Sequence, residues 1–111
     1  MNKYHAKITH VDGIKFHSKG EANRYRELKL LERAKVISEL ELQPAFSLAC
    51  GGTPIKYASG RQAKYIADFR YKENGETVVE DFKGADTDIS KLKRAIVKAQ
   101  YGVDVKLIRG R

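Results

Sequence analysis

Tyr65-Ile66-Ala67-Asp68-Phe69-Arg70-Tyr71, followed by Lys72-Glu73-Asn74-Gly75-Glu76 and then Thr77-Val78-Val79-Glu80-Asp81-Phe82-Lys83-Gly84, is the stretch that decides the fold. Two runs rich in β-branched and aromatic residues, separated by a polar segment containing Asn74-Gly75, predict a β-hairpin. Ionisable groups that strands usually avoid sit inside it, with Asp68 in the middle of the first run and Asp81 and Lys83 in the second. Side chains alternate across a strand, so Asp81 and Lys83 share one face while Glu80 joins Val78 and Phe82 on the other. If Asp68 enters the first of these faces from the neighbouring strand, two carboxylates and one ammonium converge. Such a gathering is costly unless a cation neutralises the acids, and a divalent metal would do so. The competing reading is a solvated strand face on which Asp81 and Lys83 form a surface pair worth less than about 1 kcal/mol.

Around this hairpin, the 111 residues allow one domain with one core, spanning 1–111. No apolar run approaches the length of a membrane span. The N-terminus Met1-Asn2-Lys3-Tyr4-His5-Ala6-Lys7 lacks the apolar segment of a signal peptide. The single cysteine, Cys50, can form no internal disulfide, which fits a reducing cytoplasm and an incidental loop thiol. Twenty-two Lys and Arg against 14 Asp and Glu give a net charge of +8, which favours a polyanionic partner such as nucleic acid.

Before the hairpin, residues 7–16 carry Asp12-Gly13 between two short β-like runs, a second hairpin signal. His5, His10 and His17 are too irregularly spread to suggest a metal cluster. Ser18 and Glu21 have the spacing of a capping box, so a helix is expected from there to about Ala34 or Lys35, with Ala22, Tyr25, Leu28, Leu31 and Leu30 on its apolar stripe. Glu21 has two available jobs: capping the helix, or pointing its carboxylate at the sheet to join Asp68 and Asp81. From Ile37 to Leu48 the alternation of Leu40, Leu42, Phe46 and Leu48 with polar residues predicts a half-buried strand, bent or bulged at Pro44. Gln43 reads as an outward-facing amide. Residues 49–61 form a basic, mobile loop, in which Lys56 and Arg61 could lie along a phosphate backbone.

After the hairpin, a helix capped by Thr87 or Asp88 is expected to bury Ile89, Leu92, Ile96 and Ala99 and to end at Gly102. A last strand, Val103 to Ile108, precedes the tail Arg109-Gly110-Arg111. Lys19, Arg24, Lys91, Lys93, Arg94 and Lys98 lie on or beside the two helices, where they could contact phosphates without reading sequence or serve only solubility. The expected architecture is α/β, a central mixed sheet flanked by two main helices in the order αβββαβ.

Glu21 in a helix, Asp68 in a strand, Asp81-x-Lys83 in the next strand, and a following basic helix resemble the PD-(D/E)XK nuclease superfamily. The segments Tyr4-His5-Ala6-Lys7, Phe16-x-Ser18-Lys19-x-Glu21-Ala22, Glu41-Leu42-Gln43-Pro44, Tyr65-Ile66-Ala67-Asp68-Phe69 and Glu80-Asp81-Phe82-Lys83-Gly84 are similar to small phage-encoded members related to Holliday-junction-resolving endonucleases and to the endonuclease subunit of certain transposases. Two departures stand out: Ala67 replaces the signature proline, and Asp81 stands where Glu is commoner, with Glu80 next door. The resemblance implies a restriction-endonuclease-like core and a Mg²⁺-dependent DNA endonuclease, for which Mn²⁺ would substitute. It also implies that Asp68, Asp81, the Phe82 carbonyl and Glu21 serve the metal, and that Lys83 positions or activates the attacking water. Mg²⁺ prefers oxygen ligands and keeps several waters, so two or three carboxylates suffice when phosphate supplies the rest. The expected substrate is branched DNA, most directly a four-way junction cut by a homodimer, in the cytoplasm of a phage host. Two alternatives stay open: a nicking, restriction-type or flap nuclease of the same fold, and a non-catalytic basic DNA-binding module.

Overall fold

The computed structural model describes residues 8–109. Its chain enters as an antiparallel hairpin, β1 (Thr9–Val11) and β2 (Ile14–Phe16). Asp12 and Gly13 turn it at φ of 53° and 76°, the left-handed geometry that an Asp-Gly pair favours. His5, Lys7 and the rest of the opening Tyr4–Lys7 segment lie outside the described residues, as do Gly110 and Arg111.

Helix α1 (Lys19–Arg33) begins as its cap predicts, with the Ser18 hydroxyl accepting from the Glu21 N–H at 3.1 Å. In return the Glu21 carboxylate accepts from the N–H of His17, at 3.3 Å, one residue further back than in the usual reciprocal box. Ala22, Tyr25 and Leu28 are buried, Leu31 partly so, and Leu30 faces solvent.

Next come β3 (Ser38–Leu42), β4 (Ala45–Ser47), β5 (Ala49–Cys50), β6 (Thr53–Pro54), β7 (Lys64–Ile66), β8 (Phe69–Glu73), β9 (Glu76–Lys83), helix α2 (Asp88–Tyr101) and β10 (Val105–Arg109). The main sheet has the order β10-β9-β8-β3, with β10 parallel to β9 and the other neighbours antiparallel, so the mixed α/β architecture is present. Asn74 and Gly75 turn the β8–β9 hairpin at φ of 53° and 78°. The segment 49–61 carries structure of its own: a two-rung hairpin of β5 and β6, and a tight turn closed by the Tyr57 N–H to the Arg61 carbonyl at 2.9 Å.

The bend expected at Pro44 does more than interrupt a strand. Gln43 adopts φ 51°, β3 ends, and β4 pairs with β7 in a separate ladder. The first run of the central hairpin is therefore two strands, broken at Ala67-Asp68. Tyr65 and Ala67 pack with Phe46, Val79 and Val97 on the α2 side, whereas Phe69 and Tyr71 pack with Tyr25, Leu28 and Phe16 on the α1 side. One apolar cluster thus lies on each face of the sheet, and Asp68 marks the place where the chain crosses between them.

Helix α2 corrects one expectation. Ile89 and Leu92 are 62% and 58% exposed, and Ala99 is also exposed. The helix instead buries Val97, half-buries Ser90 and Arg94, and ties its C-terminal end down through Tyr101, whose hydroxyl donates to the Ser47 carbonyl at 2.6 Å. Of the expected stripe, Ile96 packs on the core beside Val97, while the rest faces solvent.

Gly20, in the first turn of α1, lies against the ring of Phe82, where an added Cβ would stand 2.6 Å from Cζ and 2.7 Å from Cε1. Overpacking of this kind costs about 1–3 kcal/mol, which outweighs the roughly 1 kcal/mol that alanine gains over glycine in a helix. Gly20→Ala is expected to lower the urea midpoint. A raised midpoint would mean that the ring moves aside freely.

Candidate active site

β9 supplies the site's frame because its side chains alternate. Val78, Glu80 and Phe82 face α1, while Val79, Asp81 and Lys83 face α2. On the α1 face Glu80 is fully buried and receives two bonds from the Arg24 guanidinium, at 2.8 and 2.6 Å, and one from the Tyr71 hydroxyl. Burial alone would raise the Glu80 carboxyl, yet these donors outweigh it and hold it below its ordinary value. Glu80 is thereby committed to docking α1, and Asp81 is the acid on the other face.

Asp81 is buried among donors. It accepts from the Tyr65 hydroxyl and lies 3.3 Å from the Lys83 Nζ, which in turn reaches the Ser90 hydroxyl at 3.3 Å. Burial first, and then the neighbouring Asp81, raise the Tyr65 hydroxyl's pKa, so it stays a donor. Arg94 grips Asp86 with two bonds of 2.8 and 2.6 Å and stands near enough to Tyr65 for its charge to bear on the hydroxyl. Tyr65 holds Asp81 from behind, with Arg94 beside it. In the sequence they read as a core aromatic and a surface cation, and only the fold reveals their connection.

Asp68 extends the β8 alternation by one residue before the chain leaves the sheet, which places it across from Asp81. Its N–H donates to the Glu80 carbonyl at 3.1 Å, and its carboxylate accepts from the Phe82 N–H at 2.7 Å. Asp68 thus stands opposite Asp81 on the neighbouring strand, near enough for each acid's charge to bear on the other. Glu21 approaches from the first turn of α1, half-buried and near enough to feel the charge of Asp81. Its carboxyl is raised by burial, against the lowering effect of the His17 N–H. Glu21 and Asp68 line one cleft of about 260 Å³ with Ile14, Lys15 and Phe16, and Gln43, exposed as expected, stands at its edge.

The Asp68 carboxyl is pushed up to about 8 by burial, and further by the negative charges of Glu21 and Asp81, while the Phe82 N–H pulls it down. An unfolded aspartate ionises near about 3.9. The folded chain therefore holds a proton that the unfolded chain releases, and this contribution is complete below about pH 4 and lost as pH rises through about 8. In EDTA, the melting temperature of the wild type is expected to fall relative to that of Asp68→Asn between about pH 5 and pH 8.5. Parallel profiles by differential scanning fluorimetry would mean that the acids are not crowded.

Among the described residues, no three His, Cys, Asp or Glu side chains stand close enough together to hold a metal ion between them. Asp68 feels the charge of both Glu21 and Asp81. Two adjacent carboxylates nevertheless fit Mg²⁺, which usually binds one or two of them and completes its shell with water and substrate phosphate.

The remaining cations divide by partner. Arg24 and Arg94 are spent on Glu80 and Asp86, Lys98 pairs with Asp104, and Lys93 donates to the Lys64 carbonyl at 2.9 Å. Arg61 stacks 5.0 Å from the exposed Tyr57 ring. Lys19, Lys56 and Lys91 are exposed. No described helix is long and apolar enough to cross a membrane.

Residues 1–109 match the family described as "Protein of unknown function (DUF1064)". No curated protein and no solved structure matches the chain.

Proposed function

We propose that this chain, which belongs to the DUF1064 family, is a Mg²⁺-dependent, structure-selective DNA endonuclease with a restriction-endonuclease-like core, acting on branched DNA as a homodimer in the cytoplasm. The observation that carries this reading is the placement of Asp68 opposite Asp81 on neighbouring strands, near enough to feel each other's charge, with the Lys83 ammonium 3.3 Å from Asp81. A structural ion pair needs one acid for one base. Here Asp68 and Glu21 bring their charges to bear beside Asp81, which a fold gains nothing from unless a further cation joins them.

Asp68 and Asp81 would hold the ion, together with the Phe82 carbonyl, and Glu21 would orient one of its waters. When bound, Mg²⁺ would activate water and neutralise charge on the leaving oxygen. Lys83, steadied by Ser90 and Asp81, stabilises negative charge that builds up on the phosphate. Tyr65 fixes the orientation of Asp81 from behind. Arg24 supports the site indirectly, since its bonds to Glu80 set the position of α1 and hence of Glu21. Exposed Lys19, Lys56 and Lys91, with Arg61 beside Tyr57, supply phosphate contacts.

The test is cleavage of labelled four-way junction, flap and linear duplex at equal concentration, with Mg²⁺, with Mn²⁺ and with EDTA. Paired nicks in the junction, abolished by EDTA, are expected. Cleavage confined to flap or duplex would move the substrate to the nicking or flap class. Salt-sensitive DNA binding with no cleavage under any metal would leave only a basic binding module.

A further inference from the structure

The segment that the sequence presents as a loose basic loop carries an ordered cluster of cations. Between Glu41 and Asp68 the chain has no acidic residue, yet it contributes Lys56, Arg61 and Lys64. A tight turn joins Tyr57 to Arg61: the Tyr57 N–H donates to the Arg61 carbonyl at 2.9 Å, the Gly60 N–H donates to the Tyr57 carbonyl at 2.8 Å, and Gly60 takes the φ of 90° that closes it. The Gln62 amide fastens the base of this turn by donating to the carbonyls of Leu48, Ile55 and Ala63 at 2.8, 3.0 and 2.9 Å. Two cations meet at one exposed ring. The Arg61 guanidinium lies 5.0 Å from the Tyr57 centroid, and the Lys93 ammonium, arriving from α2 and steadied by the Lys64 carbonyl, lies 5.8 Å from it. Lys93 first, and then Arg61, pull the Tyr57 hydroxyl below its ordinary value.

Solubility does not require this arrangement. Arg24, Arg70, Arg94 and Lys98 each reach a carboxylate, whereas Lys56, Arg61, Lys64 and Lys93 have no ion-pair partner among the described residues. The tyrosine face offsets part of the repulsion, at about 0.5–1 kcal/mol per exposed cation, and an anion between the two would remove it. The geometry points to a phosphodiester-binding site, in which Arg61 and Lys93 clasp one phosphate of a nucleic-acid strand and the Tyr57 ring holds the two cations in position. Its place relative to the acids follows from α2. Ser90, which touches Lys83, precedes Lys93 by three residues, so the two are neighbours along the helix with Cβ atoms about 5–6 Å apart. Successive phosphates of one strand are separated by roughly 3.4 Å along a duplex axis. A strand whose scissile phosphate lies at Lys83 therefore meets the Tyr57 turn within a few nucleotides, and the turn sets which phosphate is presented to the acids. That placement rests on the nuclease reading; the phosphate site itself does not.

Binding of labelled single-stranded DNA and four-way junction to the full chain, followed by fluorescence anisotropy in EDTA across a range of salt concentrations, tests the site apart from any cleavage. The double variant Arg61→Gln with Lys93→Gln is expected to weaken binding and to flatten the slope of log K against log salt by about 1, the mark of one lost phosphate contact. Lys72→Gln removes a charge at an exposed position toward the turn end of the β8–β9 hairpin, away from the acids, and should leave the slope unchanged. Tyr57→Leu should weaken binding by the wild type and have no further effect in the double variant, because the ring acts only through its cations. A double variant with the wild-type slope, or an equal loss in Lys72→Gln, overturns the site, and a Tyr57→Leu effect that persists in the double variant overturns the role of the ring. In the cleavage assay the double variant is expected to spread the cut positions; cuts at unchanged positions overturn the placement beside Lys83. A wild type that shows this phosphate contact but never cleaves would sink the nuclease reading and spare the site, whereas cleavage with slopes untouched by the double variant would do the reverse.

Discussion

Asp68→Asn and Lys83→Ala are each expected to lower Mg²⁺-dependent cleavage by about 10²–10³-fold, the usual loss when one preorganised electrostatic group is removed from a reacting centre. The two variants separate activity from folding in different ways. An asparagine oxygen at 68 can still accept from the Phe82 N–H, so that bond survives while one negative charge near Asp81 disappears. Without metal, Asp68→Asn should therefore melt above the wild type near pH 8, and Mg²⁺ should raise its melting temperature less than it raises that of the wild type. Lys83→Ala removes the amine beside Asp81 and frees the Ser90 hydroxyl, but the lysine is only partly buried, so the fold should persist. DNA affinity at low salt should change little in either variant. Cleavage at wild-type rates by both would end the proposed chemistry.

Arg24→Ala should produce the largest loss of stability. Its guanidinium makes two of the three side-chain bonds to the Glu80 carboxylate, which has no exposure to water. Removing one member of a buried pair and stranding the other costs about 3–5 kcal/mol, a large share of the roughly 5–15 kcal/mol that holds a domain together. Chemical denaturation should show this loss, and Arg24→Met combined with Glu80→Leu should recover much of it, because an apolar pair leaves no charge stranded. If Arg24→Ala costs less than about 1 kcal/mol, the pair behaves as a surface contact and cannot be what positions α1.

Much of this was legible before any coordinates. Asp12-Gly13, Ser18 with Glu21, Pro44, Asn74-Gly75 and Gly102 each report local backbone geometry, and local signals survive translation into structure. The alternation along β9 likewise separates Glu80 from Asp81 without help from the rest of the chain. What the sequence could not disclose were relations between distant segments. Arg24 and Arg94 look like free surface cations until Glu80 and Asp86 are brought to them. Tyr65 looks like core, and its hydroxyl turns out to be a partner of Asp81. The α2 stripe misled for a related reason: periodicity shows that a helix has an apolar face, but not whether its own sheet or another molecule covers it. A continuous apolar run hides the break at Asp68, which is matched on another segment by the end of β3 at Gln43, where φ is 51°, and the start of β4.

The strict alternation along Val79, Glu80, Asp81, Phe82 and Lys83 puts two unrelated demands on one short ribbon. The side chains at even-numbered positions answer to whether the chain folds, and those at odd-numbered ones from 81 onward to the proposed chemistry. A one-residue insertion or deletion in β9 exchanges these duties wholesale, presenting Glu80 and Phe82 where the acid and the amine belong. Point substitutions here can therefore be absorbed singly, whereas a change of length cannot.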